Sequence, residues 1–274
     1  MSGKQSDMPS DLSLPSFETL DVSVRDGIAT VTMSRSEDAN VLNGIMTREL
    51  RTISLFCDTE PSIRVMVLTA TGKFFCSGGD IRAMSKLTGN PTRYVREAAN
   101  EFHVAVATMT RMTKPLVIAV NGIAAGAGFS LALLGDIVIG SASCAFKAAY
   151  SAAGLCPDGG MTYFLPRLVG LRRAQELILM NRTIKAQEAL DYGILTEVVP
   201  DEQLYEIAHE RAKKLAAGPA RAQAAIRSLL QVSFDNALER QLDLESRGIS
   251  DCAGSPDGRE GLAAFLEKRA PVYR

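Results

Sequence analysis

The residues NGIAAGAGFSLALLGD, from Asn121 to Asp136, decide how this chain folds. They follow the apolar, β-prone run Leu116 to Val120, and they predict a turn of small residues from which a helix begins near Gly126. Glycine and alanine leave no bulky side chain over the backbone, so the N–H groups at the helix start can reach a ligand such as an oxyanion. Small residues also allow a helix to pack closely on a sheet, so the stretch alone does not separate the two explanations.

A similar turn lies earlier in the chain and is called the first turn below, and the turn within Asn121 to Asp136 is called the second. Val65 to Thr69 is a continuous run of apolar and mainly β-branched residues, which predicts a strand covered on both faces. The residues GKFFCSGGD, from Gly72 to Asp80, follow it directly. Two strand ends that each present free N–H groups can hold one oxygen atom from two sides, which is the geometry of an oxyanion hole. The pair of turns therefore favours an oxyanion-binding site.

The remaining patterns indicate an α/β core followed by helices. Two short β-prone runs, Phe17 to Val24 and Ile28 to Met33, flank an Asp-Gly pair and predict a hairpin. Apolar residues at helical spacing predict a long helix from Pro91 to Met112. From Arg172 onward the pattern is helical, with one predicted strand from Leu195 to Val199. This alternation of strands and helices predicts a largely parallel sheet.

Composition and charge exclude several classes of protein. A chain of 274 residues that is 46% hydrophobic can bury a full-sized core. Its 30 basic and 31 acidic residues give a net charge of −1, so there is no electrostatic reason to expect nucleic acid or an acidic membrane as a partner. No apolar run reaches the roughly 18 residues of a membrane span. The polar residues 1–16 predict a disordered segment and no secretory signal.

The cysteines and histidines give no support for a metal site. The five cysteines are odd in number, scattered and mostly set among apolar neighbours, as expected for reduced thiols. The two histidines, His103 and His209, are far apart, and no Cys-x-x-Cys pair is present. We therefore expect a cytoplasmic protein without a bound metal.

Five motifs cover nearly the whole chain from about Phe17 to Arg274. They are SRSEDANVLN (34–43), FFCSGGDI (74–81), KPLVIAVNGIAAGAGFSLALLGDIVI (114–139), GLCPDGGMTYFLPRLVG (154–170) and EGLAAFLEKRAP (260–271). Together they resemble the crotonase superfamily, the enoyl-CoA hydratase and isomerase family. The resemblance implies an α/β fold in which a spiral of β-β-α units spans residues 17–199 and a helical trimerisation region spans residues 200–274. It also implies an acyl-CoA thioester as substrate, no cofactor beyond that coenzyme A, and a homotrimer or dimer of trimers.

The resemblance assigns roles to individual residues. The N–H groups of Ser77 and Ala127 match the family's oxyanion hole, where they would stabilise the enolate formed beside a thioester carbonyl. Asp158 matches the acid with which several isomerases of the family carry a proton between two carbons. Further matching positions are expected to bind the substrate, with the last two supplied by a neighbouring subunit: Gly78, Gly79, Asp80, Ile81, Gly126, Ser130, Tyr150, His103, Phe265 and Lys268.

The chain departs from the hydratase pattern at both catalytic acids. Hydratases of the family place one glutamate in the helix after the second turn and another further along the chain, where this sequence has Ser130 and Tyr150. Neither an alcohol nor a phenol is a ready general base near neutral pH. Asp158 remains, although an aspartate before two glycines and a helix is also typical of a helix N-cap. We therefore predict an isomerase, most similar to the ring-epoxide isomerases of phenylacetyl-CoA catabolism and the Δ3,Δ2-enoyl-CoA isomerases.

Three alternative functions stay open. The first is an enoyl-CoA hydratase with non-standard acid and base residues. The second is a dehalogenase, because His103 lies 55 residues before Asp158, as the catalytic pair does in the similar 4-chlorobenzoyl-CoA dehalogenases. Tyr150 stands where those enzymes have a tryptophan, and the fold alone would keep the same spacing, so an ordinary helix histidine is the explanation of His103 that we favour. The third is a catalytically silent acyl-CoA-binding protein, which would explain the missing glutamates.

Overall fold

The computed structural model describes residues 14–86 and 88–273. The strands in these ranges are β1 (Leu20–Arg25), β2 (Ile28–Met33), β3 (Val65–Ala70), β4 (Phe74–Cys76), β5 (Leu116–Val120), β6 (Ile123–Ala125), β7 (Ile137–Ser141), β8 (Ala145–Lys147), β9 (Thr183–Lys185) and β10 (Glu197–Val199). The α-helices are α1 (Gly44–Thr59), α2 (Ile81–Ser85), α3 (Thr92–Arg111), α4 (Ala127–Ala132), α5 (Met161–Val169), α6 (Leu171–Leu179), α7 (Ala186–Asp191), α8 (Leu204–Ala216), α9 (Ala220–Val232), α10 (Leu238–Ala253) and α11 (Pro256–Glu267). Of the segment predicted to be disordered, residues 1–13 lie outside the described residues.

Two sheets form the core of the fold. The six-stranded sheet has the order β1-β2-β3-β5-β7-β10, and all its neighbours are parallel except the β1–β2 hairpin. The four-stranded sheet has the order β4-β6-β8-β9, with β9 antiparallel to β8. Consecutive strands β3 and β4, β5 and β6, and β7 and β8 each place one strand in each sheet before a helix follows. This repetition confirms the predicted spiral of β-β-α units.

The continuous apolar runs are buried because both faces of the large sheet are covered. On β5, Val117 and Ala119 pack with Ala208 and Ala212 of α8 below the sheet. The other β5 residues, Leu116, Ile118 and Val120, face the opposite side of the sheet. There they belong to the larger apolar cluster, together with buried side chains of α1 and α3. A strand between two apolar layers needs no polar alternation. For this reason β5 is apolar throughout, and β3 is apolar except for Thr69, whose hydroxyl donates to the Ala119 carbonyl oxygen at 2.9 Å.

Two short strands differ from the prediction. The sequence predicts one strand after Arg172, but Thr183–Lys185 forms β9 through pairing of Ile184 with Phe146 of β8. Thr183 and Ile184 are β-branched, but a segment of three residues is too short to show a pattern of its own, so it becomes a strand only because β8 pairs with it. In the same way β6, inside the small-residue turn, forms between β4 and β8.

The C-terminal helices are joined to the core at the end of the Asn121–Asp136 stretch. The side chain of Arg227, on α9, is 7% exposed and donates from Nε to Asp136 Oδ2 at 2.7 Å. The same carboxylate oxygen accepts the N–H of Leu116, the first residue of β5, at 2.7 Å. A charge this deeply placed is stable because it is paired, and the pair fixes α9 against the large sheet. None of the helices in the described ranges combines the length and apolar character that crossing a bilayer requires.

Close backbone contact explains the small residues of the Asn121–Asp136 stretch. A Cβ atom added at Gly128, in α4, would lie 2.1 Å from the carbonyl oxygen of Cys76, and one added at Gly122 would lie 2.2 Å from that of Lys73. Both distances are far below van der Waals contact, and both obstructing atoms belong to backbone. Helix α4 of the second turn therefore rests directly on β4, the short strand within the first turn.

We expect Gly128→Ala to lower the free energy of unfolding by about 3 kcal/mol, because α4 must move away from β4. The measurement is urea unfolding followed by circular dichroism. Gly248→Ala, on α10, is the matched control. The only atom that its added Cβ would meet is Leu229 Cδ1 of α9, at an ordinary contact distance of 3.5 Å. Alanine there raises helix propensity and should be neutral or slightly stabilising. Equal stability of the two variants would contradict the close contact of α4 with β4.

Candidate active site

A pocket of about 230 Å³ lies where the two small-residue turns meet α1 and α3. Residues far apart in the sequence border it together: Gly79 and Asp80 from the first turn, Ala127 from the second, and Asp158 from the loop before α5. One wall comes from α3, including Phe102, and the other from the N-terminal turn of α1. The structure thus brings four of the predicted site residues into one cavity.

The two turns touch each other at the base of this pocket. Gly78 has φ 104° and lies so close to the second turn that an added Cβ would be 3.0 Å from Ala125 O and 3.4 Å from Ala127 N. Gly126 has φ 52°, and its Cα faces Gly78 in return. Both backbone conformations favour glycine. Backbone groups of the two turns are therefore neighbours, with no side chain between them.

The N–H groups of the two turns differ in how they are bonded. Ala127 is the first residue of α4, so its N–H has no acceptor within the helix. Ser77 N–H donates to the carbonyl oxygen of Ala39 at 3.0 Å, and Ser77 does not line the pocket. Gly79 does line it, and its N–H has no hydrogen-bond acceptor among residues 14–86 and 88–273. The structure therefore places Gly79 at the pocket where the sequence predicts Ser77.

Asp158 is held by Tyr150 and Ser130, the two residues that the sequence analysis matched to hydratase glutamates. Tyr150 Oη donates to Asp158 Oδ1 at 2.7 Å. Ser130 Oγ lies 2.9 Å from the main-chain oxygen of Asp158 and 3.1 Å from Tyr150 Oη. The sequence analysis assigned Ser130 and Tyr150 only to substrate binding and did not predict this network. The one signal in the sequence that could have indicated the network was the pair of hydroxyl residues at the positions matched to glutamates, because two hydroxyls can hydrogen-bond to a third polar group.

The alternative role of Asp158 as a helix cap is wrong. Helix α5 begins at Met161 with Gly160 in the capping position, and no side chain caps it. The Asp158 main-chain oxygen accepts the N–H of Met161 at 3.2 Å, while the carboxylate turns the other way, toward Tyr150. The Asp158 side chain is 29% exposed, which leaves it within reach of a molecule in the pocket.

Tyr150 remains a hydrogen-bond donor over the whole neutral range of pH. Burial of the phenol, followed by the negative charge of Asp158, holds the pKa of Tyr150 well above its ordinary value. The phenol is therefore protonated wherever the protein is folded at neutral pH. It can donate to the carboxylate but cannot serve as a base.

His103 approaches Asp158 from α3. Its Nε2 atom accepts the N–H of Gly159 at 3.2 Å and lies 3.9 Å from Asp158 Oδ2. Because Nε2 accepts this bond, the proton of the neutral ring is assigned to Nδ1. His103 thus bonds to the loop that carries Asp158, so it has a structural contact that a histidine on an open helix surface would lack.

The other predicted substrate-binding residues lie at the rim or away from the pocket. Asp80 caps α2 by accepting the Ala83 N–H at 2.8 Å, and Ile81 is exposed beside it. Phe265 is 82% exposed near the end of α11, and Lys268 follows in a left-handed conformation. Neither of these two lines the pocket of its own chain. Their contact with substrate from a neighbouring subunit stays a prediction.

Comparison with known proteins places this geometry in a family. Residues 23–274 match the family model described as Enoyl-CoA hydratase/isomerase. The chain belongs to this family, which is part of the crotonase superfamily. The members of the family are enzymes that act on acyl-CoA thioesters.

Individual relatives carry different activity names. A protein of Rhodobacter capsulatus named "Probable enoyl-CoA hydratase" is 39% identical over 94% of this chain and 98% of its own length. The 1,2-epoxyphenylacetyl-CoA isomerase of Escherichia coli is 37% identical over 91% of this chain and 96% of its own. The crystal structure of an enoyl-CoA hydratase from Bacillus anthracis, 31% identical, superposes with a TM-score of 0.88 over 93% of this chain and 99% of that one. The fold is thus shared by relatives named for different reactions.

Proposed function

We propose that this enzyme is an acyl-CoA isomerase that shifts a double bond, or opens a ring epoxide, in a CoA thioester. The observation that carries the proposal is the surrounding of Asp158. Its carboxylate borders the same pocket as Ala127 and accepts the Tyr150 hydroxyl, while the Ser130 hydroxyl lies against the Asp158 main-chain oxygen. Ser130 and Tyr150 are the residues that the resemblance matches to the two hydratase glutamates. One carboxylate beside a pair of backbone donors suits the transfer of one proton between two carbons.

The reaction follows from these groups. Asp158 removes a proton from the carbon next to the thioester carbonyl, and the electrons of that C–H bond form an enolate. The N–H groups of Ala127 and Gly79 then donate to the enolate oxygen, each contributing about 3 kcal/mol in comparable sites. Asp158 returns the same proton to a different carbon, which completes the shift and regenerates the carboxylate. Coenzyme A is needed only as part of the substrate.

Water addition by the usual two-carboxylate mechanism is less well supported. Tyr150 stays protonated and is bonded to Asp158, and Ser130 is fully buried. Neither can activate a water molecule as a carboxylate would. The name of the isomerase from Escherichia coli supports the proposed reaction, whereas the name of the relative from Rhodobacter capsulatus keeps hydration as the alternative to measure.

We propose a homotrimer or dimer of trimers in the cytoplasm as the working form. Large apolar side chains are exposed along α9 to α11, among them Leu230, Leu238, Ile249, Phe265 and Leu266. Several large, exposed apolar side chains on three consecutive helices favour this region as a place where subunits meet. Such an assembly would also bring Phe265 and Lys268 toward the pocket of a neighbour. Light scattering on the purified protein gives the subunit number.

A dehalogenase is the second candidate, because His103 Nε2 lies 3.9 Å from Asp158 Oδ2. In that reaction Asp158 would attack the halogenated ring carbon, chloride would leave, and water would cleave the resulting ester. Free chloride released from 4-chlorobenzoyl-CoA measures this directly. Chloride release without isomerisation of any enoyl-CoA would replace the first proposal by the second.

Asp158→Asn should lower kcat for conversion of a 3-enoyl-CoA to the conjugated 2-enoyl-CoA by about 10²–10⁴-fold, because the amide cannot carry the proton. The conjugated thioester is followed by its absorbance. Asp21→Asn, an exposed aspartate on β1, is the control and should retain wild-type activity. An Asp158→Asn enzyme as active as the wild type would refute the role of this carboxylate.

Proline substitution separates the two backbone donors of the first turn. Gly79→Pro removes the N–H of a pocket-lining residue that has no acceptor among the described residues, so kcat should fall by about 10²–10³-fold with little change in Tm. Ser77→Pro removes the bond to Ala39 O, so its main effect should be a lower Tm. Kinetics and thermal unfolding of both variants provide the measurement. A large loss of kcat in Ser77→Pro, with only a lower Tm in Gly79→Pro, would instead identify Ser77 as the donor.

A further inference from the structure

Three oxygen contacts join Ser130, Tyr150 and Asp158, but only two hydroxyl hydrogens are available for them. Tyr150 donates its hydrogen to Asp158 Oδ1, because an ionised carboxylate can only accept. The Ser130 hydrogen therefore has two acceptors at short distance, Tyr150 Oη at 3.1 Å and the Asp158 main-chain oxygen at 2.9 Å, while the Gly126 carbonyl oxygen is farther away at 3.5 Å. The serine hydroxyl can thus turn between two bonds of similar length without any movement of heavy atoms.

These two orientations suit the two charge states of Asp158. When the carboxylate is charged, a hydrogen bond from Ser130 to Tyr150 Oη polarises the phenol and strengthens its donation to Oδ1. When Asp158 carries a proton, that support is not needed, and the serine can donate to the main-chain oxygen. The hydroxyl pair therefore accommodates the gain and loss of one proton at low reorganisation cost.

The network is held rigidly by packing. Ser130 is fully buried and Tyr150 is 9% exposed. An added Cβ at Gly159, the residue after Asp158, would lie 2.3 Å from Phe102 Cε1 and 2.9 Å from Ser130 Cβ. The loop that carries Asp158 is consequently pressed against α3 and α4, so the carboxylate has few positions to adopt.

The two carboxylate oxygens of Asp158 have different surroundings. Oδ1 is occupied by the Tyr150 hydroxyl at 2.7 Å. Oδ2 has no hydrogen-bond donor at bonding distance among the described residues, and the ring nitrogen nearest to it, His103 Nε2, is 3.9 Å away and already accepts the Gly159 N–H. Oδ2 is thus the oxygen left to exchange a proton with a molecule in the pocket.

We infer that Tyr150 is a positioning residue that selects Asp158 Oδ2 as the proton-carrying oxygen, with Ser130 as its adjustable support. The inference rests on the proposed isomerase function. The substrate C–H bond breaks as the Oδ2–H bond forms, and the same hydrogen returns to another carbon. Because Tyr150 occupies Oδ1, the carboxyl group cannot rotate about Cβ–Cγ and pass this hydrogen to water. Tyr150 therefore keeps the transfer within the enzyme–substrate complex.

The test compares Tyr150→Phe with Tyr163→Phe, which removes a phenol oxygen from the exposed face of α5. With a 3-enoyl-CoA in D₂O, Tyr150→Phe should lower kcat by about 10–100-fold, as expected for loss of a hydrogen bond to a charged group, and should change KM less than twofold. The deuterium content of the 2-enoyl product should rise, because the released carboxyl group exchanges its proton with solvent. Tyr163→Phe should match the wild type in all three quantities.

A crystal structure of each variant provides a measurement that does not depend on turnover. In Tyr150→Phe the Asp158 carboxyl group should be rotated from its wild-type position, whereas in Tyr163→Phe it should be unchanged. Unchanged carboxyl position, or unchanged deuterium content with unchanged kcat, would overturn the inference. If the wild type isomerises no enoyl-CoA, the proposed function fails, and the crystal structures still decide whether Tyr150 positions Asp158.

Discussion

The contact of backbone on backbone between the two small-residue turns is the constraint on which the rest of the structure depends. Gly128 lies against the carbonyl of Cys76, and Gly78 lies against the N–H of Ala127. A side chain at either glycine would separate the strand ends and widen the space between their amide groups. The same closeness that packs α4 on β4 therefore also sets the distance between potential donors to one substrate oxygen. Packing and chemistry at this site have a common cause, the absence of Cβ atoms.

Around this fixed pair of turns, the identity of three side chains decides which reaction the pocket favours. The fold of the family is compatible with relatives named hydratase and isomerase, so the overall architecture does not distinguish them. In this chain Ser130 and Tyr150 supply hydroxyl groups to Asp158 rather than carboxylates to a water molecule. One charged group among neutral donors is also easier to bury than three neighbouring carboxylates, which would repel one another. In the proposed reaction this arrangement leaves proton transfer to a single residue.

Much of the fold followed from local patterns. The long helix, the hairpin and the buried strands were predictable because each has a strong periodicity or a continuous apolar run of its own. The strands β6 and β9 were not, since each is three residues long and exists because a neighbouring strand offers hydrogen bonds. Likewise, the sequence located Asp158 but could not exclude a capping role. Only the start of α5 at Met161 and the direction of the carboxylate did so.

By itself the sequence determined the two glycine-rich turns and the family of the chain, and it predicted that hydroxyl residues stand at the positions of both hydratase glutamates. Residue identities and spacings along the chain are sufficient for each of these. The tertiary structure alone decided that Ala39 takes the N–H of Ser77 and leaves Gly79 at the pocket, and that Tyr150 and Ser130 meet at Asp158. These facts depend on which loops lie side by side after folding. A hydrogen bond between distant segments has no periodicity in the sequence, because the spiral of the chain, and not its local order, brings its two partners together.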